Sequence, residues 1–349
     1  MSHKLIRQAL DEIAFDGAQK RPRRDLIADT LTFYIDLDLS AQVDVAAGGG
    51  ADGTLVKEQP DGLLPNVRIF DGSREPIVEI SASELRQMQQ RATYGQATPG
   101  AVLAIPGIQA ATQIRRKYRI FFADPRSENP IETALRPRDM KNFYLELEWP
   151  GTNGAANGDL ATALITGGTR STTVTNLKVR VLQVHDPEAY QRVRPVYVPR
   201  IRRYEYNIPA SSANFQAHIK TGADAIRASL LHALDANVTT EAVINKISLR
   251  TDRDFIREIV EARVWHENEL SENSALESVS GIALGYFGDD FADNGRLGSV
   301  LRPYQGGNLR YVLDVTGSAT RIVRLVQWEL ERVDGLVAPL EKVPGNMLD

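Results

Sequence analysis

His266-Glu267-Asn268-Glu269 opens like the helical zinc-protease motif, which sets two histidines one helical turn apart with a glutamate between them as general base. Position 270 is Leu where the second histidine must stand, so the motif fails. Asp289-Asp290-Phe291-Ala292-Asp293-Asn294-Gly295 has the acidic character of a calcium loop. A frame starting at Asp290 puts Ala292 third and Leu301 at the twelfth place, where a bidentate Glu is required. A solvated turn fits this stretch better than a cation site. Ser211-Ser212 and Ser171-Thr172-Thr173 have no His–Asp arrangement nearby. The chain has no cysteine, which removes disulfides, zinc-thiolate sites, iron–sulfur clusters and cysteine nucleophiles. Its five histidines, His3, His185, His218, His232 and His266, form no His-x-His or His-x-x-x-His pair. Among 45 acidic residues nothing singles out a glycosidase pair. No catalytic, cofactor-binding or metal-ligating residue is therefore assigned, and no cofactor is expected.

The elements that would have to position such residues are the more informative signal. The chain says one thing twice. Phe121-Phe122-Ala123-Asp124 is followed by Leu135-Arg136-Pro137, then Asn142 and Phe143-Tyr144-Leu145-Glu146-Leu147. Tyr286-Phe287-Gly288-Asp289 is followed by Leu301-Arg302-Pro303, then Asn308 and Leu309-Arg310-Tyr311-Val312-Leu313. The offset is 165 residues at the aromatic pair and 166 from Leu-Arg-Pro onward. The order of strand, loop and strand recurs with the phrase, which points to two similar domains. A chain of 349 residues has room for both.

Hydrophobic content of 42% and charged content of 25% are those of a soluble globular protein. No run approaches the roughly 18 apolar residues of a membrane-spanning helix. The N-terminus lacks a signal peptide's apolar core and cleavage site, so the chain is expected to stay where it is made. A net charge of -4 gives no case for sequence-specific nucleic-acid binding.

Leu5, Ile6, Ala9, Leu10 and Ile13 recur at helical spacing, so residues 3–15 read as an amphipathic helix. The basic stretch Lys20-Arg21-Pro22-Arg23-Arg24 follows, read as a solvated arm with a docking face. From Leu31 the period becomes two: Leu31, Phe33, Ile35, Leu37 and Leu39 alternate with polar residues in a long half-buried strand. Gly48 to Gly53 is a flexible loop with no phosphate-cradling Gly-Lys-Ser/Thr after it. Val67–Phe70 and Ile77–Ile80 flank Asp71-Gly72 as a hairpin. Ser81 with Glu84 fits a capping box, opening a helix that runs to about Tyr94. Residues 186–203, with Pro187, Pro195, Pro199 and five arginines, read as a stiff linker; the arginines fit a nucleic-acid-binding strip, or equally pairing with acidic groups across a domain interface, and the second is the plainer reading. In the second half a helix is expected over 224–234, a strand over Val243–Leu249, and a helix from Phe255 to about Leu270, mirroring the strand–turn–helix of 67–94. In 321–331 the apolar face switches partway, which calls for a bulge or for burial on both sides.

The predicted fold class is all-β with a few flanking helices: two tandem eight-stranded jelly-roll β-sandwiches. Residues 1–30 form the helix and basic arm, 31–185 the first jelly roll, 186–203 the linker, 204–333 the second jelly roll and 334–349 a C-terminal tail. Jelly-roll enzymes of the bicupin type hold a metal through a His-x-His strand, which this chain lacks.

In these features the sequence resembles the double jelly-roll major capsid proteins of the tectivirus, corticovirus and adenovirus lineage, above all those of bacteriophages with an internal membrane. The resemblance lies in Leu31–Val45 as the opening strand, Val67–Phe70 with Ile77–Ile80 and Ser81–Tyr94 as hairpin and flanking helix, and the block from Tyr286 to Val315 as closing strands. The N-terminal helix is similar to the arm these proteins carry at the shell's inner side. The resemblance implies a virion protein assembled in the host cytoplasm, forming pseudo-hexameric homotrimers of an icosahedral shell. The partners it implies are neighbouring capsomers, a vertex (penton) protein, and the inner membrane or its proteins through the N-terminal arm. Removing residues 1–24 is then expected to leave the trimer intact. Two other readings fit the same composition: a tandem β-sandwich carbohydrate-binding protein with Trp149, Trp265 or Trp328 as stacking faces, and a glycoside-active sandwich enzyme with two facing carboxylates.

Overall fold

The computed structural model describes residues 5–46, 50–51, 53–56, 60–72, 74–92, 112–123, 130–137, 142–151, 157–192, 195, 197–219, 225–236, 238–250, 255–261, 282–286 and 308–332. In the first half the strands are β1 (Ile6–Ala9), β2 (Ile13–Ala14), β3 (Arg23–Asp25), β4 (Leu31–Val45), β5 (Thr54–Leu55), β6 (Asn66–Asp71), β7 (Val78–Ile80), β8 (Thr112–Phe121), β9 (Phe143–Glu148), β10 (Ile165–Thr166) and β11 (Thr172–Asp186). Helix α1 (Ala82–Ala92) stands between β7 and β8, α2 (Asn157–Thr162) before β10, and α3 (Pro187–Arg192) after β11. The second half runs β12 (Tyr197–Asn207), β13 (Ser212–His218), β14 (Ala225–Asp235), β15 (Val238–Thr239), β16 (Ile244–Arg250), β17 (Phe255–Glu261), β18 (Ile282–Tyr286), β19 (Arg310–Val315) and β20 (Arg321–Arg332).

The pairing follows one rule in both halves. Eight strands fold back on themselves as nested hairpins: first with last, second with seventh, third with sixth, fourth with fifth. Rolling that ribbon brings the last strand beside the third and the seventh beside the fourth. The first half gives the sheets β1-β11-β4-β8 and β3-β9-β6-β7; the second gives β12-β20-β14-β18 and β13-β19-β16-β17. Each half is thus a jelly roll of two facing four-stranded sheets. The repeated phrase falls in the sixth and seventh strands of each: β8 and β9, then β18 and β19. In the first roll Leu135 exchanges two backbone hydrogen bonds of 2.8 Å with Thr32, and Arg136 lies 4.3 Å over the Tyr190 ring of α3. Leu301-Arg302-Pro303 lies outside the described residues.

In β4 every odd residue from Leu31 to Val45 is buried, as the alternation requires. From Ile35 to Val45 they join Ile114, Tyr118 and Ile120 of β8 and Val67, Ile69, Leu145 and Leu147 of the facing sheet in one core, while Leu31 and Phe33 pack with Ala123, Ile131, Ala134 and Ala189. The second roll closes over its own core, with Leu231, Ile247, Tyr311, Leu313, Val323 and Leu325 among its members.

Several expectations are corrected. The helix expected over 3–15 is absent from its described part, residues 5–15: Ile6–Ala9 and Ile13–Ala14 are strands paired antiparallel with β11. A 15-residue strand leaves a row of backbone donors and acceptors on each side, and satisfying them outweighs the weak helical preference of a short segment. The basic stretch is not a free arm either. Arg23–Asp25 pairs with β9, Trp149 N–H donates to Lys20 O at 3.0 Å, and Phe15 packs edge-on to the buried Trp149 ring at 5.8 Å. Leu31–Val45 is consequently the third strand of its roll, not the opening one. The expected linker is helix α3 and the first seven residues of β12. Pro199 is accommodated there because its nitrogen faces the β7 side of β12, where the contact is limited to Ile201.

The helix expected over 224–234 is strand β14, whose Ala- and Leu-rich sequence is overridden by a central position between β20 and β18. Phe255–Glu261 is likewise a strand, so the mirror of the β6–β7 hairpin is the β16–β17 hairpin; residues beyond 261 in that expected helix lie outside the described residues, as does the 334–349 tail. The face switch in β20 reflects burial on both sides: Val323 and Leu325 enter the second roll's core, Val326 and Trp328 the core of the first. A register shift between Ile226 and Ala228 puts the irregularity in β14. Gly53 is a close approach more than a flexible link, since a Cβ there would sit 2.4 Å from Ile165 Cγ2.

Because residues 6–25 supply the first two strands, truncation to residue 25 uncovers β11, β9 and Trp149 together. The truncated chain is expected to lose its cooperative thermal transition, followed by circular dichroism. Trp149→Ala alone should cost about 3–5 kcal/mol. A truncated chain that melts like the full one would return residues 1–24 to the status of an arm.

Candidate assembly site: the junction of the two rolls

The two rolls share a sheet. β7, the fifth strand of the first, runs parallel to β12, the first strand of the second, through the pair Val78 and Ile201, with Ile201 N–H donating to Ile77 O at 2.8 Å. The sheets β3-β9-β6-β7 and β12-β20-β14 thereby form one continuous surface. Val198, Ile201, Ala228, Leu230, Val326 and Trp328 of the second roll belong to the core of the first.

Helix α1 is seated at this junction. Its start is the expected capping box: Ser81 N–H donates to Glu84 Oε2 at 2.9 Å, and Glu84 N–H donates to Ser81 Oγ at 3.3 Å. The helix is polar yet buried, with Ser83, Glu84, Arg86 and Gln87 all inside. Each polar group needs a partner, since an unpaired one costs about 1–3 kcal/mol. Arg86 pairs with buried Asp61 at 2.7 Å, and Asp61 also accepts from Tyr118 OH at 2.7 Å. Burial and the Asp61 charge push the Tyr118 phenol well up, which keeps it a donor. Gln89 Oε1 accepts the Arg119 N–H at 2.9 Å, and the Arg119 guanidinium grips Asp36 at 2.5 and 2.9 Å. Glu84 reaches into the second roll, where His232 Nδ1 lies 2.8 Å away.

Ion pairs run across the shared sheet: Arg23–Glu146 at 3.0 Å, Glu146–Arg68 at 3.3 Å, Arg68–Glu79 at 3.1 Å and Glu79–Arg203 at 3.1 Å step from strand to strand, Arg203–Glu205 at 3.7 Å runs along β12, and Glu205–Arg324 at 2.7 Å steps on to β20. Lys20 and Arg21 join through Glu148, and Arg24 pairs with Asp11. Further along β12 and β20, Arg200 is tightly paired with Glu331, and Arg202 sits 3.4 Å from Glu329. Of the seam arginines, Arg203 pairs across the interface with Glu79, while Arg200 and Arg202 pair within the second roll; Arg194 lies outside the described residues. Burial drives the Glu329 carboxyl up to about 7; the Arg202 guanidinium opposes this and the neighbouring Glu331 charge adds to it.

The chemistry-bearing stretches do not converge here. His266–Glu269 and Asp289–Gly295 lie outside the described residues. Ser212 begins β13 while Thr172 and Thr173 begin β11, and Ser211 Oγ accepts the Gly317 N–H at 3.0 Å. Trp149 and Trp328 are buried and offer no stacking face; Trp265 is outside the described residues. Glu79, Glu146 and Glu148, the acidic cluster of this surface, are all held by Arg68. The Glu84–His232 contact and the ion-pair chain carry no local sequence motif. The one available signal is the alternation of charge at facing strand positions, and it requires the register to be known.

No family model matches the chain, and no curated protein matches it in sequence. Solved structures do match in fold. The major capsid protein of Sulfolobus turreted icosahedral virus superposes with a TM-score of 0.69 at 12% identity, over 96% of this chain and 99% of that one. The major capsid protein of bacteriophage PM2 gives 0.57 at 12% identity, over 95% and 99%. A chain of the PBCV-1 virus capsid gives 0.56 at 10% identity, over 95% and 94%. The fold is the double jelly roll. Both rolls are needed to cover these structures end to end, and the strand order of this chain supplies them.

Within this double jelly roll, Arg68→Ala removes a cation shared by Glu79, Glu146 and Glu148, each of which keeps another basic partner, and is expected to cost about 1–3 kcal/mol. Glu205→Gln, at the exposed end of the chain of pairs, should cost less than about 1 kcal/mol. Chemical denaturation of both variants checks the gradient. Glu329 holds a proton in the folded state that the unfolded chain releases, between the ordinary carboxylate value of about 4.5 and about 7. Stability therefore falls as pH rises through that window. Glu329→Gln is expected to flatten the slope, measured as melting temperature from pH 4 to 8.

Proposed function

We propose that this chain is a major capsid protein whose homotrimer is the capsomer of an icosahedral shell. The observation that carries this reading is the pair of jelly rolls with identical strand order, fused edge to edge through β7 and β12 and matching capsid proteins over nearly their whole length. Two similar lobes per chain, arranged around a three-fold axis, give six similar faces, and such a unit packs against six neighbours of its own kind. Five-fold positions cannot be filled by that unit, which makes a separate vertex protein a required partner. An inner membrane as a further partner rests on the resemblance alone. The basic residues expected to reach it, Lys20, Arg21, Arg23 and Arg24, are engaged with Glu148, Glu146 and Asp11. The carbohydrate-binding reading is not favoured, because Trp149 and Trp328 are inside the protein.

Light scattering on the purified protein is expected to give three times the 38.6 kDa chain mass, and class averages of the particle should show a six-lobed ring. The subunit interfaces should exceed the ~1,600 Å² of ordinary complexes. A monomer at micromolar concentration would defeat the proposal.

A further inference from the structure

His232 stands on β14 of the second roll with its side chain only 2% exposed. Its Nδ1 lies 2.8 Å from Glu84 Oε1 on α1 of the first roll, and its Nε2 lies 2.6 Å from Thr239 Oγ1 on β15. A protonated ring donates to both. A neutral ring donates from Nδ1 and accepts the Thr239 hydroxyl at Nε2. The hydrogen bonds survive in either state; what changes is the charge facing a fully buried carboxylate.

The surrounding groups make that charge matter. Arg324 is the cross-strand neighbour of His232, but it is taken by Glu205 at 2.7 Å. On its other side β14 presents His232 to Ile282 of β18, which is apolar. Asp61 is bound by Arg86 and Tyr118. Ser81 and Ser83 add only hydroxyls and the capping N–H. Among the described residues, His232 is the one cationic group in contact with the Glu84 side chain. A cleft of about 460 Å³ between the rolls is lined by His232, Thr239, Ser81, Ser83, Asp61 and Arg324, so solvent protons reach the ring without the rolls parting.

We propose that His232 is a pH-dependent latch between the two jelly rolls, closed when its ring is protonated and loosened when it is neutral. Burial alone would push Glu84 up. The His232 hydrogen bond and charge, with help from Arg324 and the Ser81 N–H, outweigh it and bring the carboxyl down to about 2. While the ring is protonated, Glu84 is therefore a carboxylate. The latch contributes fully at pH values below the ordinary histidine value of about 6.5 and is lost as pH rises and the ring gives up its proton. Removing that proton takes away the charge in contact with the buried Glu84 side chain and leaves Arg324, engaged by Glu205, as the cation acting on it.

Hydrogen exchange on the intact protein tests this, following the amides of α1 and β15 from pH 6 to 9 after correction for intrinsic rates. The wild type is expected to lose about tenfold in protection as the ring deprotonates, equivalent to one pKa unit of coupling. His232→Gln keeps a donor and an acceptor but no titratable charge, and its junction should show no step. Glu84→Gln should move the wild-type step to lower pH. The imidazole carbon resonance of His232, followed by NMR in the wild type, reports protonation even if a variant does not fold. A ring already neutral at pH 6, or one identical exchange profile in wild type and His232→Gln, would overturn the latch.

Discussion

A helix with charged side chains on several faces cannot be buried unless something answers each of them. That constraint governs the whole molecule. Glu84, Arg86 and Gln89 of α1 find their partners in different places: a strand of the second roll, the turn before β6, and strand β8. No single sheet could supply all three. The helix is satisfied only where two rolls meet, so the placement of one roll on the other is specified by buried polar chemistry as well as by apolar contact.

The shared sheet and the shared core reinforce that placement. Among the described residues the backbone ladder between β7 and β12 is one register pair, too little to fix two domains by itself. The ion pairs across the sheet and the insertion of Val326 and Trp328 into the first roll's core distribute the contact over a wide front. Exposed pairs in such a chain contribute little, whereas Arg68, bound to three carboxylates, is expensive to lose. A surface this consistently neutralised also leaves its basic residues few charges to offer a foreign partner.

Much of the fold is legible in the sequence where the signal is local. The two-residue period of β4, the β6–β7 hairpin and the Ser81–Glu84 box are all read from neighbours within a few positions, and the phrase of β8–β9 and β18–β19 is read because it is written twice. The misread segments share a different property. Ile6–Ala9 and Ala225–Asp235 take their conformation from strands far away in sequence, β11 for the first, β20 and β18 for the second. An apolar spacing compatible with a helix says nothing of an open sheet edge waiting elsewhere. The junction is illegible for the same reason: Glu84 and His232 become neighbours only once both rolls are closed.

The nested pairing has a consequence for how the chain comes to be made. The innermost hairpin, β6–β7, can form as soon as it is synthesised, but β1 has no partner until β11 emerges, and β12 waits in the same way for β20. Each roll must therefore hold its first strand unpaired through most of its own synthesis, with a free edge exposed to other nascent chains. Folding is slowed by these distant contacts, and the interval is the molecule's period of greatest vulnerability to misassociation.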